Sequence, residues 1–222
     1  MMQLWFSDEK LPKKEPLNEN HFNPRRRVAR EAAVLLYTQQ EKEYKQAKMR
    51  ALKTLGVRIL PSNAEIAKEL DEVAEEIEGP ARRRLLLQMR KEALEIMKAL
   101  KSFHPKLIGS VWRGTAHKGS DIDIATFSSD SEAVVSQLQK NGFKIIETKM
   151  VSIVKNGEKK SSFHIYLLLL TGNEVEVAVR SPENADRPEK CEIYGDLKTG
   201  LSYLQLQKVL EENPLQKFVP DT

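Results

Sequence analysis

Two aspartates separated by a single residue, shortly after a Gly-Ser pair, constrain the fold of this chain more than any other feature. The pair Gly109–Ser110 ends a short apolar run, and Asp121-Ile122-Asp123 follows after ten intervening residues. In a β-strand, side chains two residues apart point to the same face. The spacing therefore predicts that Asp121 and Asp123 present two carboxylates side by side, while Ile122 and Ile124 face the core.

Two carboxylates held this close together require a positive partner. Like charges repel, so the pKa of one aspartate should rise unless a cation neutralises the pair. Oxygen ligands are the donors that Mg²⁺ and Mn²⁺ prefer in proteins. The sequence therefore predicts a site for a divalent metal ion at Asp121 and Asp123.

The same segment resembles the DNA polymerase β-like nucleotidyltransferase superfamily, which includes poly(A) polymerases, CCA-adding enzymes, aminoglycoside nucleotidyltransferases and minimal nucleotidyltransferases. Its signature is an apolar strand, Gly-Ser, a short helical turn and Asp-x-Asp on the next strand. Here the pattern reads Gly-Ser-x3-Gly-x5-Ser-Asp-Ile-Asp, which is most similar to the poly(A) polymerase and archaeal CCA-adding style. The resemblance covers roughly residues 105–180 and combines several motif elements, so it is far more specific than a lone Asp-x-Asp.

The resemblance implies a metal-dependent transfer of an NMP from an NTP to an acceptor hydroxyl, with release of pyrophosphate. It implies two ions of Mg²⁺ or Mn²⁺ and a third acidic ligand on a later strand. Glu176, between two valines, is the favoured third acid, and Glu174 beside a turn stays an alternative. The nucleotide-binding residues that the motif suggests are Gly109, Ser110, Arg113, Gly114 and Ser120. For Arg113, a surface charge is an equally good interpretation.

The order of predicted elements indicates an α+β protein. An N-terminal helical domain precedes a polymerase β-like nucleotidyltransferase core with a mixed sheet and helices packed on it. We expect an N-terminal arm over residues 1–22, the helical domain over 23–104, the catalytic core over 105–180 and a C-terminal extension with a short helix over 181–222.

Local signals place the helices and strands. Asn23-Pro24 begins a long helix that runs to Leu55, and its apolar spacing lapses near residues 38–42. Ser62-Asn63-Ala64-Glu65 is a capping box, and a third helix is predicted to end at Phe103. The predicted strands are Lys106–Gly109, Asp121–Phe127, Phe143–Val154, Ser162–Leu170 and Glu174–Arg180, with a hairpin turn at Asn156-Gly157.

Composition excludes several classes of protein. The chain has 222 residues, of which 40% are hydrophobic and 31% charged, so it can bury a core. It has no apolar stretch of 18 residues and no signal-peptide pattern, so we expect a cytoplasmic protein without a membrane partner. Its one cysteine, Cys191, excludes an internal disulfide and a cysteine-based zinc site.

The positive charge is concentrated in the first half of the chain. Residues 1–104 hold 21 Lys and Arg against 16 Asp and Glu, whereas residues 105–222 hold 15 against 16. Clusters at Arg25–Arg27 and Arg82–Arg84 are either a footprint for RNA or solvated helix faces. A nucleic-acid 3′ end, a small molecule and a protein all stay candidate acceptors. A nucleotide- or RNA-binding module on a degenerate fold is the alternative function, and a homodimer through the long helix is a further expectation.

Overall fold

The structure, a computed structural model, describes residues 23–155, 158–185, 187 and 189–220. The predicted arm at 1–22 and the predicted turn at Asn156-Gly157 lie outside these residues. Within them are seven α-helices: α1 (Pro24–Tyr37), α2 (Tyr44–Leu55), α3 (Asn63–Glu78), α4 (Pro80–Ala99), α5 (Gly109–Arg113), α6 (Ser131–Lys140) and α7 (Tyr203–Glu212). The six strands of the same residues are β1 (Lys106–Ile108), β2 (Ile122–Phe127), β3 (Ile145–Lys155), β4 (Glu158–Leu168), β5 (Glu174–Arg180) and β6 (Leu201–Ser202). No helix in this part of the chain combines the length and the apolar composition needed to cross a bilayer.

The N-terminal helices follow the local signals of the sequence. The Asn23 side chain accepts hydrogen bonds from the first turn of α1, and Ser62 and Glu65 form the predicted capping box of α3. The lapse in apolar spacing is a real interruption between α1 and α2, where Gln39 adopts a left-handed backbone with φ of 56°. The third predicted helix, α4, ends earlier than expected, and a 3₁₀ turn over Lys101–Phe103 follows it.

The sheet is mixed, as predicted, with the order β3-β4-β5-β2-β1-β6. Strands β2 and β5 run parallel, and the other neighbouring pairs are antiparallel. Several strand boundaries differ from the prediction. Strand β3 covers Ile145–Lys155 and not Phe143–Val154, and β4 covers Glu158–Leu168 and not Ser162–Leu170. Strand β1 ends at Ile108 because Gly109 already begins α5, and β2 begins at Ile122 so that Asp121 lies just before it. The α+β class with helices ahead of the core is confirmed.

The strand register gives the sheet two chemically different faces. Leu107, Ile124 and Val177 are paired across β1, β2 and β5 and are fully buried. They share one hydrophobic core with the inner faces of α4, α6 and α7. The opposite face carries a row that crosses four strands at one level, namely Ile108, Asp123, Glu176 and Tyr166. The polar residues of this row form part of the candidate site.

The helical part has a second hydrophobic core of its own, formed by α1, α2 and α3. Helix α4 belongs to the core of the sheet instead. The reason is that its inner positions Met89, Ala93 and Ile96 are fully buried against the strands and helices of that core. The division of the chain at residues 104 and 105 stays a prediction.

The arginine clusters of the first half are largely occupied by acidic partners. The Arg25 guanidinium lies 2.6 Å from Glu65, and Arg26 lies 2.5 Å from Glu69 and 2.7 Å from Glu72. Arg30 pairs with Glu76 as well. These contacts fasten α1 to α3. The ion pairs between α1 and α3 therefore give these arginines a role in helix packing, which neither the RNA footprint nor the solvated helix face had anticipated.

Arg90 on α4 joins three parts of the fold. Its side chain is 0% exposed and donates hydrogen bonds to the backbone carbonyls of Val111, Trp112, Pro214 and Gln216, at 2.7 to 3.1 Å. Burial lowers the pKa of Arg90 to about 10, so the guanidinium remains charged at neutral pH. The end of α5 and the C-terminal segment are thus held to α4 by one side chain.

Replacing Arg90 with methionine should therefore destabilise the protein strongly. The variant leaves buried carbonyl groups without donors, and breaking a buried polar network of this kind costs about 3–5 kcal/mol. Urea denaturation followed by circular dichroism measures the change in the free energy of unfolding. The exposed Arg84 on the same helix provides the control Arg84→Met, which should change that free energy by about 0.5 kcal/mol or less. Equal effects of the two variants would contradict the assigned role of Arg90.

Candidate active site

Three carboxylates converge on the face of the sheet opposite the main core. Asp121, Asp123 and Glu176 each offer an oxygen, and these oxygens lie within 4.8 Å of one another. The parallel pairing of β2 with β5 explains the arrangement, because Asp123 and Glu176 are direct partners in the register. Glu174, the alternative third acid, is exposed at the start of β5. The structure thus brings Glu176 to the aspartate pair, and we call these three residues the carboxylate triad.

The electrostatics of the triad show a deficit of positive charge. Burial and repulsion from Asp121 and Glu176 raise the pKa of Asp123 well above its usual range, and Lys198 opposes this shift. Partial desolvation, followed by repulsion from Glu176 and Glu174, also raises the pKa of Asp121. Both shifts have the direction expected for partly desolvated carboxylates that lie close to one another.

Two side chains of β4 hold the third carboxylate in place. The Tyr166 hydroxyl donates a hydrogen bond of 3.0 Å to Oε1 of Glu176, and His164 Nδ1 contacts the same oxygen. Burial, followed by the hydrogen bond to Glu176, raises the pKa of Tyr166 to about 12, so its hydroxyl stays protonated. With the proton on Nδ1 of His164, Ser162 Oγ donates to Nε2 at 2.6 Å. These contacts leave Oε2 of Glu176 as the freer oxygen.

Sequence reasoning missed this support of Glu176. From the sequence, His164 lies on the strand before the acid strand, which allows a role nearby, but a packed or solvent-facing histidine is the favoured interpretation. Tyr166 has no sequence signal of its own. Both lie at alternate positions of β4, on the face that meets Glu176, and Tyr166 is its direct register partner. The alternation is visible in the sequence, but only the register of β4 against β5 shows which residue it faces.

Gly109 occupies the position where the chain passes closest to Asp123. Its backbone is left-handed, with φ of 71°. A Cβ atom at this position would lie 2.8 Å from Cγ of Asp123 and nearer still to Oδ2. Glycine is therefore required here for two separate reasons, backbone conformation and contact with the carboxylate. Ser110 follows it in the first turn of α5.

The remaining predicted nucleotide residues divide into two groups. Ser120 precedes the triad, and its hydroxyl accepts a hydrogen bond of 3.0 Å from the His117 backbone. Arg113 is 5% exposed and donates to both carboxylate oxygens of Asp196 at 2.7 Å and to the Phe218 carbonyl. These hydrogen bonds hold the C-terminal part of the chain to α5. In this structure they occupy the guanidinium of Arg113, which is therefore not directed at a phosphate site.

Gly114 belongs to the same structural group as Arg113. It ends α5 in a left-handed conformation, and a Cβ there would lie 2.7 Å from the carbonyl oxygen of Gln216. Trp112, between Val111 and Arg113 in α5, is buried. Arg113 and Gly114 thus position α5 through their contacts with the C-terminal segment.

A large cleft of about 750 Å³ opens beside Asp121. The turn between α1 and α2 supplies one wall, with Gln39, Lys42 and Tyr44 among its lining residues. The opposite wall comes from the loop before β2 and from the turn between β4 and β5. Its volume falls in the range of small-molecule sites, roughly 300–1,000 Å³.

The helical part fixes the wall of this cleft through backbone contacts. Arg82 on α4 donates hydrogen bonds of 2.9 Å to the carbonyls of Thr115 and Ala116 and is itself paired with Asp71. The Lys118 backbone donates to Glu78 at 2.8 Å. These contacts hold the loop that leads into Asp121, so the cluster at Arg82 has a structural task as well as a charge.

The donor set of the triad fits a hard divalent cation. All three side chains offer carboxylate oxygens, which are the ligands that Mg²⁺ and Mn²⁺ prefer. The close approach of Gly109 and the contacts to Glu176 limit the movement of two of the three ligands. The site therefore has the charge and the chemistry that such an ion requires.

Comparison with known proteins gives a family for the central part of the chain. Residues 89–197 match the family model described as the nucleotidyltransferase domain. Solved structures similar to this chain include Cid1 in complex with the UTP analog UMPNPP, at 18% identity over 50% of this chain and 36% of that chain, with a TM-score of 0.33. A cytoplasmic RNA terminal U-transferase also matches at 18% identity over 50% of this chain and 35% of that chain, with a TM-score of 0.32. The GLD-2/RNP-8 complex matches at 13% identity over 54% of this chain and 40% of that chain, with a TM-score of 0.32.

The match to these solved chains covers well under half of their length. No curated protein sequence matches this chain. The family model includes the Gly-Ser pair, the aspartate pair and Glu176, which are the residues on which the resemblance was based. That resemblance is confirmed, because residues 89–197 of this chain match the nucleotidyltransferase domain.

Proposed function

We propose that the protein is a metal-dependent nucleotidyltransferase that moves an NMP from an NTP to an acceptor hydroxyl. The observation that carries this proposal is the convergence of three carboxylates, from two parallel strands, beside Gly109 in a nucleotidyltransferase domain. In the reaction, the acceptor oxygen forms a bond to the α-phosphorus and the bond to the pyrophosphate oxygen breaks. The proton of the acceptor hydroxyl passes to Asp123.

Asp121, Asp123 and Glu176 are the proposed ligands of two Mg²⁺ or Mn²⁺ ions. When bound, such ions would activate the acceptor hydroxyl and neutralise the charge that develops on the leaving pyrophosphate. Tyr166 and His164 hold one oxygen of Glu176, so the carboxylate keeps its orientation before substrate arrives. A fixed ligand orientation lowers the reorganisation needed in the transition state.

The large cleft beside Asp121 is the proposed site of the NTP. Its volume of about 750 Å³ suits a ligand of this size. Gly109 and Ser110 lie at the same end of the triad and are the proposed contacts of the triphosphate, with Ser120 close to Asp121. Lys42 lines the cleft from the helical part and provides a positive charge for the polyphosphate.

A nucleotide- or RNA-binding module on a degenerate fold is the second candidate function. The complete carboxylate triad favours the enzyme, because a binding module needs no cluster of mutually repelling acids. Small-molecule and protein acceptors stay open alternatives within the enzymatic proposal. A cytoplasmic location and a homodimer stay predictions.

The proposed activity can be tested with a labelled-NTP screen in Mg²⁺ and in EDTA. Total RNA, free nucleotides and a protein extract serve as acceptors, and the Asp121→Asn, Asp123→Asn double variant serves as the control. We expect metal-dependent label transfer by the natural chain and none by the variant. Binding of NTP without transfer to any acceptor would favour the binding module instead.

The identity of the third acid can be tested with a matched pair of variants. Glu176→Gln should lower NMP transfer by roughly 10³-fold, because it removes a ligand that supports several kcal/mol of charge stabilisation. Glu174→Gln removes the same charge two residues away on the same strand. Glu174 lines the large cleft but is exposed and lies outside the triad, so transfer should fall far less, by about tenfold at most. Steady-state rates at saturating Mg²⁺ compare the two. A larger loss in Glu174→Gln would reassign the third ligand.

A further inference from the structure

A second, smaller cavity lies beside the carboxylate triad and is basic. Its volume is about 270 Å³, and four cationic side chains line it, namely Lys106, Arg180, Arg187 and Lys198. The register places it on the triad's own face of the sheet. Lys106 pairs with Ala125, two residues after Asp123, and Arg180 lies four residues after Glu176. We call this cavity the basic pocket.

Among the described residues, one of the four cations of the basic pocket, Arg180, has an acidic partner in an ion pair. Glu189 is the one acidic side chain among the described lining residues, and it lies 3.2 Å from Arg180. Lys106 donates a hydrogen bond of 3.1 Å to the Ala185 carbonyl and forms no ion pair with an acid in the part of the chain that the structure describes. Arg187 and Lys198 are exposed. The arginines of α1 differ, because acidic partners on α3 occupy them.

The direction of the strands places the basic pocket opposite the proposed NTP site. Strand β1 runs antiparallel to β2, so Gly109 lies beyond the level of Asp123 on the side of Asp121. The large cleft is on that side as well. Lys106 and Arg180 lie on the other side of the triad. In phosphoryl transfer the attacking and leaving oxygens are roughly in line, so an acceptor enters from the side opposite the leaving pyrophosphate.

The distances along the strands suit a chain of phosphates. A strand rises about 3.3 Å per residue, so Ala125 lies roughly 7 Å along β2 from Asp123, and Arg180 roughly 13 Å along β5 from Glu176. Cations spread over this range can meet successive phosphates of an extended strand whose terminal hydroxyl reaches the triad. A neutral small acceptor would make no use of them.

We propose that the basic pocket binds backbone phosphates of a single-stranded nucleic acid whose 3′-hydroxyl reaches the carboxylate triad. The role of this strand as the acceptor rests on the proposed function. Binding of the strand to the pocket does not, because it requires no turnover. The two ideas can therefore be tested separately.

The test measures binding of a labelled 12-nucleotide RNA by fluorescence anisotropy, in Mg²⁺ and without NTP. The variant Arg187→Ala, Lys198→Ala removes two exposed charges of the pocket. Its Kd for the RNA should rise about tenfold or more. The slope of log K against the logarithm of the salt concentration should decrease in magnitude by about 1.4, since each phosphate contact of a single strand contributes about 0.7 to it. The control Lys140→Ala, Lys208→Ala removes two exposed charges from α6 and α7 and should leave both values within error.

Calorimetry with a non-hydrolysable NTP in Mg²⁺ completes the test. Its Kd should change far less in the pocket variant than the Kd for RNA does, because Lys198 affects Asp123 of the triad only through its charge. A weakened NTP affinity with unchanged RNA affinity would assign the pocket to the triphosphate and overturn the proposal. RNA affinity that is absent in the natural chain, or unchanged in the variant, or equally reduced in the control, would also overturn it. Intact RNA binding in a protein that transfers no NMP would contradict only the proposed function.

Discussion

Replacing Asp123 with asparagine should lower NMP transfer by roughly 10³-fold or more and, at the same time, raise the melting temperature of the metal-free protein. Loss of activity follows because Asp123 offers an oxygen to the same candidate ion site as Asp121 and Glu176. Metal-based stabilisation of the transition state supplies several kcal/mol, and each 1.36 kcal/mol corresponds to a factor of ten in rate.

The gain in stability has a different cause, namely the removal of a negative charge that is unfavourable in the folded protein. Burial and the charges of Asp121 and Glu176 raise the pKa of Asp123 well above its usual range, which means that its ionised form destabilises the fold. Asparagine keeps the shape and removes the charge. Differential scanning calorimetry at pH 8 in EDTA measures the effect, and Glu95→Gln, an exposed change on α4, is the control. A melting temperature that falls in Asp123→Asn would show that the three carboxylates do not repel one another in the folded protein.

Replacing Gly109 with alanine should also lower NMP transfer strongly. The new methyl group would occupy the space of the Asp123 carboxylate, so either Asp123 or α5 must move. A left-handed backbone at a residue other than glycine costs about 1–2 kcal/mol in addition. Activity should therefore fall by roughly 10²-fold or more, since a displacement of about 1 Å in a reacting group has effects of this size.

Gly142 provides a matched control for this prediction. It has a similar positive φ of 79°, but a Cβ atom there would meet nothing within 4 Å. Gly142→Ala should therefore show the backbone cost alone, about 1–2 kcal/mol in urea denaturation, with full transfer activity. Gly109→Ala should lose more stability than this control and should also bind Mn²⁺ more weakly in calorimetry. If Gly109→Ala and Gly142→Ala lost equal stability and kept equal activity, the contact between Gly109 and Asp123 would not be the reason for the glycine.

The catalytic motif could be predicted from the sequence because all of its signals are local. The Gly-Ser pair, the Asp-x-Asp spacing and the capping box of α3 depend on residues a few positions apart. Glu176 could be singled out because an acid between two valines of a strand needs a partner. Its alternative, Glu174, could be separated only by the parallel register that pairs Glu176 with Asp123.

The other parts of the site depend on contacts between residues far apart in the chain. Arg113 has the residue type of a phosphate ligand, and only the fold shows Asp196 beside it. The triplet at Arg25–Arg27 has the charge of a nucleic-acid footprint, and only the packing of α1 on α3 shows its acidic partners. The basic pocket could not be found from charge counts, because it lies in the half of the chain whose net charge is slightly negative.

Arg82 holds the loop before Asp121 by its backbone, and this determines how freely the amino-acid sequence of that loop can change. The Arg82 guanidinium donates hydrogen bonds to the backbone carbonyl oxygens of Thr115 and Ala116, and every amino acid has this carbonyl group. The side chains of this loop can therefore change the lining of the large cleft while the path of its backbone stays fixed. An arrangement of this kind separates the choice of substrate from the placement of the aspartates, so new specificities can arise here without disturbing the chemistry.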